Sequence, residues 1–188
     1  MKKIGCALAL LLCIATSQAA WFQTQGKAAD FTVRQVLEGN LNYVEKSVVS
    51  AADAMPAEKY SYAPTHGEFK GVRSFSQLVK HTAYWNYKFA STILQEKPPV
   101  EIGGENGPDS LNSKAEVTKF LTESFDYLHK AIRSMDQENL LLPIKGPFGS
   151  KPVTRLGMAV SGIDHPFDMY GQMVEYLRMN GIVPPASR

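Results

Sequence analysis

The strongest constraint on the fold is the spacing of apolar residues near the end of the chain. From about Thr154 to Asn180, apolar residues recur at alternating intervals of four and three, and Gly181 follows. They are Leu156, Val160, Ile163, Phe167, Tyr170, Val174 and Leu177. This spacing places them on one helix face, and glycine is common just beyond a helix end. We therefore predict a long helix whose apolar stripe forms a bundle seam.

Three earlier segments also have helical spacing. The first runs from about Asp30 to Ala54 and stops before a proline. The second starts near Ser74 and the third at Ser113, and each serine has Gln or Glu three residues later, as in a capping box. Segments rich in proline and glycine join them, and no strand-like alternation competes. The 188 residues thus predict one all-α domain, a four-helix bundle with one longer crossover.

The start of the chain has the three parts of a secretory signal. Lys2 and Lys3 precede an apolar run at 4–15, and small and polar residues close the run. This run is too short to span a bilayer as a mature helix. We predict a signal peptide at 1–19, cleaved after Ala19 or one residue later, and export to the periplasm or the extracellular space. The alternative is an uncleaved N-terminal anchor.

Cleavage would change the composition of the mature chain, residues 20–188. Cys6 and Cys13 would both be lost, leaving neither a disulfide nor a thiol nucleophile. The basic residues would fall from 20 to 20 − 2 = 18, which equals the 18 acidic residues. A neutral chain without a basic run does not indicate nucleic-acid binding. After processing we expect no stable membrane span.

Two of the histidines stand in suggestive surroundings. His81, in the second helix, is followed by Tyr84, Trp85 and Asn86, which suit a pocket wall. The alternative is an ordinary aromatic core with one polar end. In the fourth helix, His165 and Asp168 are three residues apart and share a face. Together with a histidine of the second helix they can bind a divalent transition metal that keeps positions open for water.

Pro166 complicates the fourth helix. It lacks a backbone N–H and collides with the preceding turn, so the helix should kink, or stop and restart. In a restarted helix, Asp168 would simply favour the positive N-terminal end. Metal binding and this structural role therefore remain alternatives for Asp168.

The run from Tyr170 to Pro185 resembles the end of DinB-family (DinB/YfiT-like) proteins. The segment from Arg73 through His81 to Asn86 is similar to the start of that family's second helix. The resemblance spans nearly all of residues 20–188 and is nearest to exported branches of the family. It implies a four-helix bundle, often dimeric.

The resemblance also implies a metal site of three histidines. One comes from the second helix and matches His81. Two, four residues apart, come from the fourth helix, and the first of these matches His165. The third position holds Met169, whose thioether is a poorer ligand than imidazole for zinc, nickel or manganese. Asp168 is the neighbouring substitute, although its side chain points about 100° away on an ideal helix.

Two functions follow from these residues. The first is an exported metal-dependent hydrolase or transferase with His81, His165 and Asp168 as ligands. The second is a metal-free bundle that binds a small ligand or a protein partner through the same cleft. In both, a pocket is expected beside the histidines. Its residues would be Tyr84, Asn86, Met169 and Gln172.

Overall fold

The computed structural model describes residues 31–147 and 151–188, which contain four long α-helices. Their bounds are Val33–Ala54 (α1), Phe75–Leu94 (α2), Lys114–Arg133 (α3) and Arg155–Met179 (α4). The predicted all-α four-helix bundle is confirmed. The predicted signal peptide and its cleavage point lie outside the described residues. None of the helices in the described ranges is long and apolar enough to cross a membrane.

The predicted capping boxes set the starts of α2 and α3. Ser74 accepts from the N–H of Gln77, whose side chain accepts from the N–H of Ser74. Ser113 and Glu116 form the same reciprocal pair at the start of α3. These bonds satisfy N–H groups that have no partner inside the helix, so the serines fix where the helices begin. At the other end of α2, Gln95 takes a left-handed conformation with φ of 56°.

The helices form a square in which α1 and α2 each pack against both α3 and α4. Helices α2 and α3 run in the same direction. Lys80, near the start of α2, donates to the carbonyl just before α3, at Leu111, and Tyr127 near the end of α3 donates to Glu96 just after α2. The loop at 95–113 must therefore return along the bundle, as expected for the predicted longer crossover. Helices α2 and α4 are antiparallel, because Tyr176 in α4 reaches the Arg73 carbonyl.

The connection before α4 differs from the prediction. It was expected to be a loop, but Pro143–Lys145 (β1) and Pro152–Thr154 (β2) pair as a short antiparallel hairpin. Ile144 is paired with Val153 and is buried, which gives the hairpin an apolar anchor. The rest of the described chain is helical or irregular apart from an isolated bridge in the crossover loop.

The predicted seam of α4 is wrong by one position. Val160 and Phe167 were expected to be buried, but they are 42% and 47% exposed. The buried face instead has the same alternating spacing one residue earlier. It consists of Ala159, Gly162, Pro166, Met169, Met173 and Tyr176, and Leu177 of the predicted seam is buried next to them. Small residues dominate its first half, and a Cβ on Gly162 would lie 3.1 Å from the Leu128 side chain. The first half of α4 therefore packs closely on the core through small side chains, and the larger Val160 and Phe167 remain exposed.

Helix α4 continues through Pro166, so the predicted stop and restart does not occur. A proline removes one N–H, but the buried residues on both sides hold the helix in place. Asp168 consequently lies in the interior of a 25-residue helix and has no N-terminal role.

Candidate functional site

The antiparallel packing of α2 and α4 brings His81 and His165 together. Their Nε2 atoms are 3.3 Å apart, and their ring centroids are 5.1 Å apart. His81 is buried and His165 is half-buried. The two histidines singled out in the sequence therefore form one imidazole pair between the helices.

The protons of this pair can be placed from its hydrogen bonds. Nδ1 of His81 lies 2.6 Å from the carbonyl oxygen of Glu105, which can only accept, so Nδ1 carries the proton. In neutral His81, Nε2 is then an acceptor, and it receives the Nε2–H of His165. His165 Nδ1 is left with a lone pair, buried and without a hydrogen-bond partner in the described part of the chain.

Both imidazoles are held neutral. Burial, together with the nearby His81 and Arg73, lowers the pKa of His165 to about 4. Burial also lowers the pKa of His81, although its bond to the Glu105 carbonyl opposes this. Since the charged forms are disfavoured, near neutral pH the pair has lone pairs and N–H groups but no net charge.

Aromatic rings form the wall around His165. The centroids of Trp85 and Phe89 lie 5.8 Å and 6.1 Å from its ring. Tyr84 packs edge-on to Trp85, and burial together with the Glu105 carboxylate raises the pKa of its phenol. These rings keep water away from the imidazoles, which is consistent with the lowered histidine pKa.

The fourth helix does not offer an obvious third metal ligand. Met169 is buried, and the Gln172 amide nitrogen lies 3.9 Å from its sulfur. Asp168 is exposed, and its carboxylate accepts from the same amide at 3.4 Å. Among residues 31–147 and 151–188, no three His, Cys, Asp or Glu side chains are grouped as metal ligands would be.

The pair itself has the spacing of two metal ligands. Two imidazole nitrogens bound at about 2.0–2.1 Å to a tetrahedral zinc lie about 3.3 Å apart. His81 also has the supporting bond typical of a ligand, from Nδ1–H to a carbonyl. His165 does not, because binding through Nε2 would move its proton to the buried Nδ1, which has no acceptor in the described residues. The residues present therefore fit two ligands but not a three-ligand centre.

Asn86 faces a different part of the bundle. It is fully buried, and its amide donates to the Ser124 hydroxyl of α3 at 3.1 Å. The structure thus groups Tyr84, Met169 and Gln172 with the α2–α4 side of the bundle, whereas Asn86 is bonded between α2 and α3.

The role of Glu105 was not foreseen from the sequence. Its carbonyl reaches His81 because the crossover loop lies directly on α2. Gly107 has φ of 73°, and a Cβ there would lie 2.6 Å from Cβ of Lys80. Only glycine permits this contact, so the glycines of the crossover loop were the available signal.

A cleft of about 660 Å³ lies toward the start of α2, and neither histidine of the pair is among its lining residues. Gln77, one turn before His81, lies on one wall, and Gln172, about two turns after His165, lies on the other. Its other polar groups are Arg73, Asn106 and Glu175, and Phe69, Val72, Tyr176 and Met179 supply apolar surface. The guanidinium of Arg73 donates to Asn106 at 2.8 Å. This volume and mixture of groups suit a small-molecule site.

The fold is similar to several solved structures. A DinB-like protein from Bacillus cereus ATCC 10987 has a TM-score of 0.62 and 16% identity, over 79% of this chain and 93% of that one. A conserved protein from Enterococcus faecalis has a TM-score of 0.60 and 18% identity, over 79% of this chain and 97% of that one. A DinB-like protein from Bacillus subtilis has a TM-score of 0.58 and 16% identity, over 77% of this chain and 92% of that one. At these identities the likeness shows the fold alone.

Sequence comparison gives the family. No curated protein matches the chain. The family model of the DinB superfamily matches residues 40–173, a range that contains both histidines of the pair and most of the bundle. The chain therefore belongs to the DinB superfamily.

Proposed function

We propose that this DinB-superfamily protein binds a small molecule in the cleft between α2 and α4 without a transition metal. The observation that carries the proposal is the cleft of about 660 Å³, which is lined by residues of the same two helices that hold the neutral imidazole pair. Both Nε2 atoms have a hydrogen-bond partner without a metal, because His165 donates to His81, and His81 donates through Nδ1 to the Glu105 carbonyl. The superfamily's metal chemistry needs a third ligand that Met169 supplies poorly.

The lining of the cleft indicates how a ligand would be held. The Gln77 and Gln172 amides offer both donors and acceptors, and Arg73 offers positive charge. The rings of Phe69 and Tyr176 provide apolar contact on the same cleft. We expect a ligand with one polar or anionic group and an apolar part. We further propose that the protein acts outside the cytoplasm, on the strength of the signal-like start of the sequence.

Ligand screening in the presence of a chelator tests this proposal. Small polar and anionic compounds are screened by thermal shift, and the hits are measured by isothermal titration calorimetry. Gln172→Leu should weaken binding, whereas Gln137→Leu, at an exposed position in the connection after α3, should not. Binding that requires added zinc or nickel would contradict the metal-free proposal. A screen whose hits bind Gln172→Leu unchanged would place the ligand elsewhere.

The spacing of the pair favours a second candidate, a metal-dependent hydrolase or transferase. The 3.3 Å between the Nε2 atoms equals the ligand spacing of a tetrahedral site, and Asp168 lies three residues after His165 on the same helix. In that case protein purified without a histidine tag would contain about one zinc, nickel or manganese per chain. His81→Ala would abolish this content. Metal content equal to that of a chelated blank would exclude this candidate.

A further inference from the structure

A second recess, of about 280 Å³, lies between the end of α2 and the hairpin, at the opposite end of α2 from the cleft. Three lysines line it. Lys88 comes from the last two turns of α2, Lys97 from the start of the crossover loop and Lys145 from the end of β1. The recess shares no lining residue with the cleft, so it is a separate place on the molecule. We call these three lysines and the space between them the lysine recess.

The charges of the lysine recess are not balanced by the protein. None of its three Nζ atoms forms an ion pair within residues 31–147 and 151–188. Glu96 is the one acidic residue among the described lining residues, and it is already occupied. Its Oε1 accepts from Lys130 Nζ at 3.0 Å and from the Tyr127 hydroxyl at 2.9 Å. Three cations therefore surround one recess without an anion of their own, which favours an anionic ligand there.

The end of α2 does not explain the lysines either. Lysines are often found at a helix C-terminus because the last four carbonyls have no partner within the helix. Here the Ser91 carbonyl accepts from the N–H of Glu96 at 3.1 Å, and the Thr92 carbonyl accepts from the side-chain amide of Gln95 at 2.6 Å. In the described structure the three lysines donate to none of these carbonyls. Their ammonium groups are therefore free for a ligand.

Gln95 fixes the shape of the recess and is itself strained. Its φ of 56° lies in the left-handed region that favours glycine, and no other non-glycine residue among those described has a positive φ. Its side-chain amide donates to the Lys145 carbonyl at 3.1 Å and accepts from the Lys145 N–H at 3.2 Å. A glycine would end α2 without strain but could not make these two bonds. The glutamine thus holds Lys145 beside the end of α2, and backbone strain of this kind is concentrated at functional sites.

We propose that the lysine recess binds the phosphate group of a phosphate monoester. Each ammonium group has three donors, and a phosphate monoester has about two negative charges and three acceptor oxygens. A carboxylate has only one charge and two oxygens, so it would leave the three lysines less well balanced. The volume of about 280 Å³ is slightly below that of sites for drug-sized ligands, so it suits a phosphate with a small substituent.

Nuclear magnetic resonance titration of the purified protein with glycerol 3-phosphate tests the proposal. Amide signals of residues 91–97 and 145–146 should shift, whereas the Arg73 and Gln172 signals of the cleft should not. Lys97→Gln and Lys145→Gln should each raise the dissociation constant by about fivefold or more. Lys46→Gln removes the same charge from an exposed position on α1, away from the recess, and should leave the constant unchanged.

A second arm identifies the source of the phosphate. Vesicles of phosphatidylcholine with and without phosphatidic acid are sedimented with the protein, because phosphatidic acid has the same glycerol phosphate monoester in a membrane. Binding to phosphatidic acid that Lys97→Gln and Lys145→Gln weaken would assign the recess to a lipid head group. Binding of glycerol 3-phosphate alone would assign it to a soluble ester. Binding of neither, or an equal loss in Lys46→Gln, would overturn the proposal.

Gln95→Gly tests whether Gln95 positions Lys145. Glycine is favoured at this backbone conformation, so circular dichroism should show an unchanged helical content. The affinity for glycerol 3-phosphate should nevertheless fall about as far as in Lys145→Gln, because Lys145 loses both bonds that hold it beside α2. An affinity equal to that of the wild type would overturn the positioning role of Gln95.

Discussion

His129 links α3 to α1 through two carboxylates and should make the stability of the bundle depend on pH. It is 5% exposed. Its Nδ1 lies 3.1 Å from Glu38, and its Nε2 lies 3.0 Å from Glu45. A carboxylate only accepts, so both ring nitrogens must donate, and His129 must be a cation when both bonds are present. Arg133 adds a second cation to Glu38 at 3.0 Å.

The direction of the pH effect follows from the pKa of His129. The hydrogen bond to Glu45 raises this pKa above its ordinary value of 6.5, burial opposes the rise, and Glu38 adds to it. A raised pKa in the folded state means that folding takes up a proton. The added stability is therefore fully present below about pH 6.5 and is lost as pH rises through the folded-state pKa.

The stability that His129 contributes can be estimated from its two hydrogen bonds. A hydrogen bond to a charged group contributes about 1.5–3 kcal/mol, and removing one partner of a buried ion pair costs about 3–5 kcal/mol. The Glu38 and Glu45 side chains are 19% and 25% exposed, so water compensates part of the loss. His129→Gln keeps one donor and removes the charge, and we expect it to cost about 2–3 kcal/mol at about pH 6.

Thermal unfolding followed by circular dichroism, from about pH 5.5 to about pH 9, measures this effect. The wild type should exceed His129→Gln most at the acid end, by roughly 4–12 °C in Tm, and the two curves should converge at the alkaline end. His66→Gln, at an exposed histidine in the loop before α2, should follow the wild type throughout. A gap between wild type and His129→Gln that is constant with pH would refute a charged His129.

Three further predictions concern the candidate site and its support. Met169→His should give the protein a zinc site that holds about one metal per chain by elemental analysis, and a variant without metal would contradict the ligand geometry of α4. Gly107→Ala should lower the free energy of unfolding measured in urea by about 1–3 kcal/mol, because the added Cβ would lie 2.6 Å from Lys80. The same substitution should alter the ¹⁵N chemical shift of His81 Nδ1, because it displaces the loop that contains Glu105. Gly162→Ala should lower the free energy of unfolding by about 1–3 kcal/mol through contact with Leu128 at 3.1 Å, and an unchanged urea midpoint would show that α4 can shift freely.

The parts of the fold that depend on local chemistry could be predicted from the sequence. The serines at positions 74 and 113 mark the starts of two helices because an N-cap acts over only a few residues. The seam of α4 could not be predicted this way. A hydrophobicity pattern favours the face with Val160 and Phe167, whereas packing into the core favours the face whose small Gly162 fits beside Leu128 of the diagonally placed α3. Only packing against the other helices determines which of two faces of α4, one residue apart, is buried.

The two histidines of the candidate site could be predicted from the sequence, but the positions of their protons could not. His81 and His165 could be paired from the sequence, because the family resemblance implies one site with ligands from both of their helices. Their proton arrangement depends on the Glu105 carbonyl, 24 residues from His81, in a loop whose path is set by a glycine contact with α2. The spacing of residues along a helix does not reveal this hydrogen bond, because every residue has a backbone carbonyl.

The two departures at this site have one physical explanation. If a metal were bound at Nε2 of His165, Nδ1 would become a buried donor and would need an acceptor, which the described residues do not provide. In the metal-free arrangement Nδ1 is instead a buried acceptor and does not need an acceptor of its own. Met169 then serves as core packing on the buried face of α4, where a third imidazole would have to find partners for its own polar atoms. The methionine and the missing acceptor at Nδ1 are thus both consistent with the metal-free site that we propose.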